Sequence, residues 1–183
     1  MAVSSRAVQI DDKNPYSHYA VAVTNCFSGN FEPALRAVQR ALALSPSFAL
    51  GHCFHGVALL LSGHAKDAIE PFEHGLRLSP FDPQNFTFFC YKGIAHYFND
   101  QFEQGLQAAQ RVLELRPHWM PALKTVVLCA RALGNEKLAG EALEEMKIAP
   151  DTRDNLVFVL EFNPTWAEHV KTVLSASVRL PQN

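Results

Sequence analysis

The strongest constraint on this chain is a recurrence. Pro46 and Pro80, Ala34 and Ala68, and Gly29 and Gly63 are each 34 residues apart. A fixed period of this length means stacked supersecondary units, none able to bury its apolar face alone. Backwards, Ala7-Val-Gln-Ile-Asp-Asp12 mirrors Ala41-Leu-Ala-Leu-Ser-Pro46, so the reading begins inside the second helix of an earlier unit. Forwards, the third unit has a longer entry, Phe81-Asp-Pro-Gln-Asn85. After it Gly93 matches Gly56, Phe102 matches Phe31, and Gly105 matches Ala34 and Ala68. Gly134, Ala139 and Pro150 mark a fourth unit.

Each landmark has a physical cause. Small residues in the first helix of a unit (Ala22, Gly56, Gly93) and in the second (Ala34, Ala68, Gly105) allow two helices to approach closely. Gly29 and Gly63 supply the left-handed position that ends a helix, and Asn99-Asp100 takes that role in the third unit. Phe31, Phe72 and Phe102 are expected to fill gaps between neighbouring hairpins. Asn14-Pro15 and Asp82-Pro83 read as an N-cap followed by the first helical residue. Apolar residues recur at steps of three and four through Phe31–Leu44 and again through Phe102–Leu113, and no stretch alternates with period two. The fold class is therefore all-α, a right-handed solenoid of antiparallel helix hairpins. As a single domain of 183 residues it divides into a partial unit (1–13), four units (14–47, 48–81, 82–118, 119–150) and a tail (151–183). In the tail, 151–162 is a short helix candidate, Asn163-Pro164 breaks it, and Thr165–Ser177 forms a last amphipathic helix with Trp166, Val170, Val173 and Leu174 inward. Its expected role is to cap the stack.

Composition narrows the function classes. With 16 Lys and Arg against 18 Asp and Glu, the net charge of −2 provides no basic stripe for nucleic acid. No run of apolar residues is long enough to span a bilayer, and Met1–Arg6 lacks the apolar stretch of a secretory signal, which places the chain in the cytoplasm. Cys26, Cys53, Cys90 and Cys129 are widely spaced and read as reduced, buried thiols.

Over residues 7–150 the pattern resembles the tetratricopeptide repeat. More narrowly, Leu78-Ser-Pro-Phe-Asp-Pro83, Gly93-Ile-Ala-His-Tyr-Phe98 and Leu113-Glu-Leu-Arg-Pro117 look like one subfamily. It is the repeat region carried behind an effector domain in bacterial class III adenylate/guanylate cyclases and in winged-helix transcriptional activators. The closing Val173-Leu174 and Ser177-Val-Arg-Leu-Pro181 are similar to the basic Leu-Pro tail of such proteins, departing from it at Ser177-Val178, where Ala-Gly is usual. The resemblance implies a C-terminal piece of a larger bacterial signalling protein; no cyclase or DNA-binding residues lie in this chain.

In the family, first helices line a concave groove. The corresponding positions here are Tyr16, Tyr19, Val23 and Phe27; then Leu50, Cys53, Val57 and Leu61; then Thr87, Cys90, Tyr91, Ile94 and Tyr97; and finally Lys124, Leu128 and Arg131. Family members that bind chaperone C-termini hold the carboxylate with Lys, Asn and Arg at such positions. Here the early groove is apolar and aromatic, so an apolar peptide or a helix, including one from the same parent protein, fits better. The bland alternative is that these side chains only pack between adjacent helices.

Sharper chemistry finds little support. His52-x-x-His55 is half of a metal site without a third ligand, and His18 and His52 occupy one large-residue position in consecutive units. Cys53 and Cys90 occupy equivalent sites, but a disulfide needs Cα atoms within about 7 Å while helix axes pack about 8–10 Å apart. No nucleophile elbow, zinc-protease motif or phosphate loop is present. The acidic run Glu141–Glu145 is a solvated helix face, with Glu144 spaced to pair with Lys147. The expectation is a non-enzymatic interaction module with a protein or peptide partner and no cofactor. Self-association, or sensing on behalf of a fused domain, is the alternative; small-ligand binding in the aromatic groove is a third.

Overall fold

The computed structural model describes residues 11–148 and 159–176. Nine helices are complete among them: α1 (Pro15–Cys26), α2 (Phe31–Leu44), α3 (Ala49–Leu61), α4 (Ala65–Leu78), α5 (Asn85–Tyr97), α6 (Phe102–Leu115), α7 (Met120–Ala132), α8 (Glu136–Ile148) and α9 (Pro164–Ser175). No strand occurs among the described residues. The chain divides into two compact units, Met1–Asn85 and Phe86–Asn183. In the first, α1 pairs with α2 and α3 with α4, and α3 also packs on α2. In the second, α7 pairs with α8 and packs on α6, and α9 lies against α7. Short turns between consecutive helices make each pair an antiparallel hairpin. This is the all-helical tetratricopeptide-like arrangement that the 34-residue period predicts.

The second helices carry one buried stripe at helical spacing. In α2 it is Ala34, Ala37, Val38 and Ala41; in α6 it is Gly105, Ala108, Ala109 and Val112. In α4 the equivalent residues are Ala68, Pro71, Phe72 and Gly75. Steps of three and four put all four on one face. The first helix α7 is different: Pro121–Leu123 and Thr125–Ala130 are all buried, as befits a helix enclosed on several sides.

Size is exchanged between paired helices. Phe72 is fully buried, and its ring lies where a Cβ on Gly56 would stand, 2.9 Å away. Phe72 thus fills the space left by a glycine in its own hairpin. Cys53 of α3 rests on Gly75 of α4 in its own hairpin, and Cys129 of α7 rests on Gly105 of α6 in the preceding one. Gly93 and Gly105 themselves meet where α5 crosses α6.

Helix ends follow local rules in most places. Gly29, Gly63 and Gly134 have φ of 76°, 89° and 73°, and Asp100 takes 56° in the third turn. Asn14 accepts from the Tyr16 amide at 2.9 Å with Pro15 beginning α1, and Asn163 accepts from the Trp166 amide at 3.2 Å with Pro164 beginning α9. Asp82-Pro83 departs from the expectation: α5 begins at Asn85. Asp82 instead closes an Asx turn, Oδ1 accepting from the Gln84 amide at 2.8 Å, while Asn85 donates to the Ser79 carbonyl at 2.7 Å. Residues 1–10 of the opening partial unit, Pro150 of the fourth unit, the 151–158 part of the short helix candidate and the 177–183 tail lie outside the described residues.

Candidate functional site

The first helices present two different surfaces. In the first unit, Tyr16, Tyr19, Val23 and Phe27 follow one stripe of α1, spaced at three and four residues. Behind it stand Phe48, which precedes α3, and Phe54 within α3, both buried. The rings form a continuous ladder. Tyr16 and Tyr19 flank Phe48 with centroids at 4.7 and 5.7 Å, and Tyr19 and Phe27 flank Phe54 at 5.4 and 6.1 Å. All four contacts are tilted or edge-to-face, the geometry aromatic quadrupoles prefer. The ends of the ladder are open, with Tyr16 59% and Phe27 42% exposed. Burial raises the Tyr19 phenol above its usual pKa, so the ring remains neutral. Leu50 is half-buried nearby in sequence, whereas Cys53, Val57 and Leu61 are buried in the packing of α3.

In the second unit, Tyr91, Ile94, Tyr97 and Leu128 are buried along with Cys90, while Thr87 and Lys124 are half-buried. The face near Tyr97 is not open, because α9 occupies it. The Tyr97 hydroxyl hydrogen-bonds His169 Nε2 at 2.7 Å. Phe98 and Trp166 stack at 3.9 Å with ring planes 8° apart. Arg131 donates through Nη1 to the Val173 carbonyl and through Nη2 to the Ala176 carbonyl at 2.6 Å. These carbonyls belong to the end of a helix, where partners are otherwise missing, and a cation there also meets the negative end of the helix dipole. Burial, with Cys129 and Asp100 nearby, pushes the Tyr97 phenol up to about 12, so it stays protonated.

Two adjustments to the sequence reading follow. Arg131 is committed to α9, its side chain only 8% exposed, and cannot serve a partner's carboxylate while α9 is seated. Phe48, Phe54 and His169 belong to the two surfaces but lay outside the expected groove positions; aromatic side chains at a helix entry were the available signal for Phe48.

The histidines of interest hold turns. His18 Nε2 bonds the Asp12 carbonyl and His52 Nε2 the Pro46 carbonyl, both at 2.8 Å, the same clamp one repeat apart. Among the described residues no group of three His, Cys, Asp or Glu is placed to hold a metal. All four cysteines are buried, and none is joined in a disulfide. Burial pushes Cys26, Cys53 and Cys129 up to about 12, the reverse of an activated thiol. Glu144 pairs with Lys147 at 2.7 Å on an exposed helix face. No described helix is long and apolar enough to cross a membrane.

No protein-family model and no curated protein matches the chain by sequence. Solved structures match it well. PilW, described as a widely conserved type IV pilus biogenesis factor, aligns with TM-score 0.73 and 20% identity over 96% of this chain and 83% of its own. MamA aligns with TM-score 0.66 and 15% identity over 91% and 88%. YrrB, a TPR protein with an unusual peptide-binding site, aligns with TM-score 0.66 and 20% identity over 94% and 80%. At such identities the likeness establishes the fold.

Proposed function

We propose that this chain is a non-catalytic interaction module whose first-unit aromatic ladder binds a short apolar or aromatic protein segment. The observation that carries this reading is the ladder itself. Two rings at its ends are substantially exposed, and the rings between them are fixed by buried aromatic neighbours. Pre-fixed aromatic side chains provide large contact area at little conformational cost, which is why aromatic residues such as Tyr are enriched in binding hot spots. The peptide-binding neighbour YrrB, which shares the fold, supports the same class of role. Among the described residues no group of three His, Cys, Asp or Glu placed to hold a metal competes with it.

The resemblance of residues 78–83, 93–98 and 113–117 supports a module carried behind a bacterial cyclase or winged-helix effector domain. The partner segment then comes from that parent protein or from a protein controlling it. Self-association through the same ladder is the competing mechanism, and sedimentation across a concentration series separates them. A random-peptide display screen on the full chain is expected to select segments rich in aromatic and aliphatic residues. Tyr16→Ala or Phe27→Ala is expected to weaken each by about ten- to a hundredfold, the range of a ring hot spot. Selected peptides indifferent to both substitutions refute the reading.

A further inference from the structure

We propose that α9 is a displaceable internal ligand of the second unit. It holds a docking face that takes, in its place, an amphipathic helix of the pattern aromatic-x-x-His-aliphatic-x-x-aliphatic-aliphatic. The pattern is that of the resident: Trp166, His169, Val170, Val173 and Leu174. Each position has a counterpart on the face. The aromatic stacks on Phe98, the imidazole meets the Tyr97 hydroxyl, and Arg131 takes the carbonyls of the last turn. This set recognises a helix with a free C-terminal end. It does not recognise an extended peptide, whose carbonyls do not converge on one guanidinium.

Three observations mark the seat as exchangeable rather than part of the fixed core. Only Val170 of α9 is fully buried; Trp166, Val173 and Leu174 are half-buried and most of the rest is exposed. A cleft of about 330 Å³ remains between α9 and the face, lined by Phe98, Phe102, Leu128, Arg131 and Val173 among others. A packed core leaves no such space. Arg131 Nε and Glu136 Oε2 are both buried and form a long ion pair at 3.9 Å, without a hydrogen bond. Neither atom hydrogen-bonds to α9, so the resident leaves hydrogen-bonding capacity of the face unused. The resident therefore satisfies the face incompletely, and a helix with a bulkier side chain at the Val173 position fills it better.

A tethered helix competes at a high effective concentration, so an outside helix binds in proportion to the fraction of chains in which α9 has left. This proposal is independent of the aromatic ladder in the first unit, and its test uses the chain's own sequence as the probe. A fluorescein-labelled peptide of residues 163–176 is titrated, to millimolar concentration, against the full chain by anisotropy. Trp166→Ala/His169→Ala is expected to bind it at least tenfold more tightly than wild type. Adding Arg131→Ala to that variant is expected to abolish binding, and Val173→Leu alone to weaken the binding seen with wild type. Circular dichroism confirms that each variant is folded. No binding by the folded open variant, or binding indifferent to Arg131→Ala, overturns the proposal. Should the open variant unfold, hydrogen exchange on the wild-type chain decides. Amides of α9 exchanging at least a hundredfold faster than those of α7 uphold it, and equal protection refutes it.

Discussion

Gly75→Ala isolates what the glycines contribute to helix pairing. A Cβ at residue 75 would strike Cys53 Sγ and stand 2.7 Å from the Ala49 carbonyl oxygen and 2.8 Å from the Cys53 amide nitrogen. The sulfur can rotate away, but the other two atoms belong to the α3 backbone, so the whole helix must retreat. Overpacking of this kind costs about 1–3 kcal/mol, and the upper part of the range applies where backbone is struck. Alanine recovers about 1 kcal/mol of helix propensity. The net loss expected is about 2 kcal/mol, a fall of roughly 4–8 °C in melting temperature for a chain of this size. Gly93→Ala is the control. Its nearest contacts would be 3.3, 3.4 and 3.5 Å, so the propensity gain offsets the crowding and stability is expected within about 0.5 kcal/mol of wild type. Urea unfolding followed by circular dichroism measures both. Both tryptophans, Trp119 and Trp166, lie in the second unit, so their fluorescence is expected to report an unchanged midpoint there in Gly75→Ala if the units unfold separately. Equal stabilities for the two variants, or Gly93→Ala as the weaker, would refute the close-approach argument.

Two further outcomes depend on titration. Cys26, Cys53 and Cys129 are expected to resist Ellman's reagent at pH 8 until guanidinium is added, since burial pushes each thiol up to about 12. The unfolded chain ionises its thiols first, near pH 9, so stability is expected to fall as pH rises from about 9 towards 12; a fast-reacting thiol among these three in the native protein contradicts this. His55 is lowered from its usual 6.5, by burial first and by His52 second, with Glu70 opposing. The unfolded state then takes up the proton first, so its contribution to stability is present above pH 6.5 and lost as pH falls through the lower folded value. His55→Gln is expected to flatten the melting temperature between pH 7 and 5, and an unchanged slope rules this out.

What was legible in the sequence is what local physics decides. Gly29, Gly63 and Gly134 occupy left-handed positions because helix ends need positive φ, and Asp100 does so because short polar side chains tolerate it. The buried stripes of α2, α4 and α6 were readable because a 34-residue period carries each position onto its equivalent. Less legible was anything decided by residues far apart in the chain. His169 lies 72 residues from Tyr97, and Arg131 lies 42 and 45 residues from the carbonyls it caps. No periodicity encodes those meetings. Gly75 is illegible for a related reason: its repeat equivalents are Ala41 and Val112, so nothing in the pattern marks it as the point where Cys53 needs room. The start of α5 was misplaced because Asp-Pro serves an Asx turn as readily as a helix cap.

The two units put their first helices to different use. In the first, aromatic side chains of α1 lean on Phe48 and Phe54 and leave ring edges towards solvent. In the second, the C-terminal end of α7 carries Arg131, a guanidinium whose donors need acceptors if the residue is to be buried. Solvent supplies them when the face is bare; the last carbonyls of a helix supply them when it is covered. Arg131 therefore gives the second face a preference for helix C-termini that the first lacks, and α9 is the helix close enough in the chain to satisfy it.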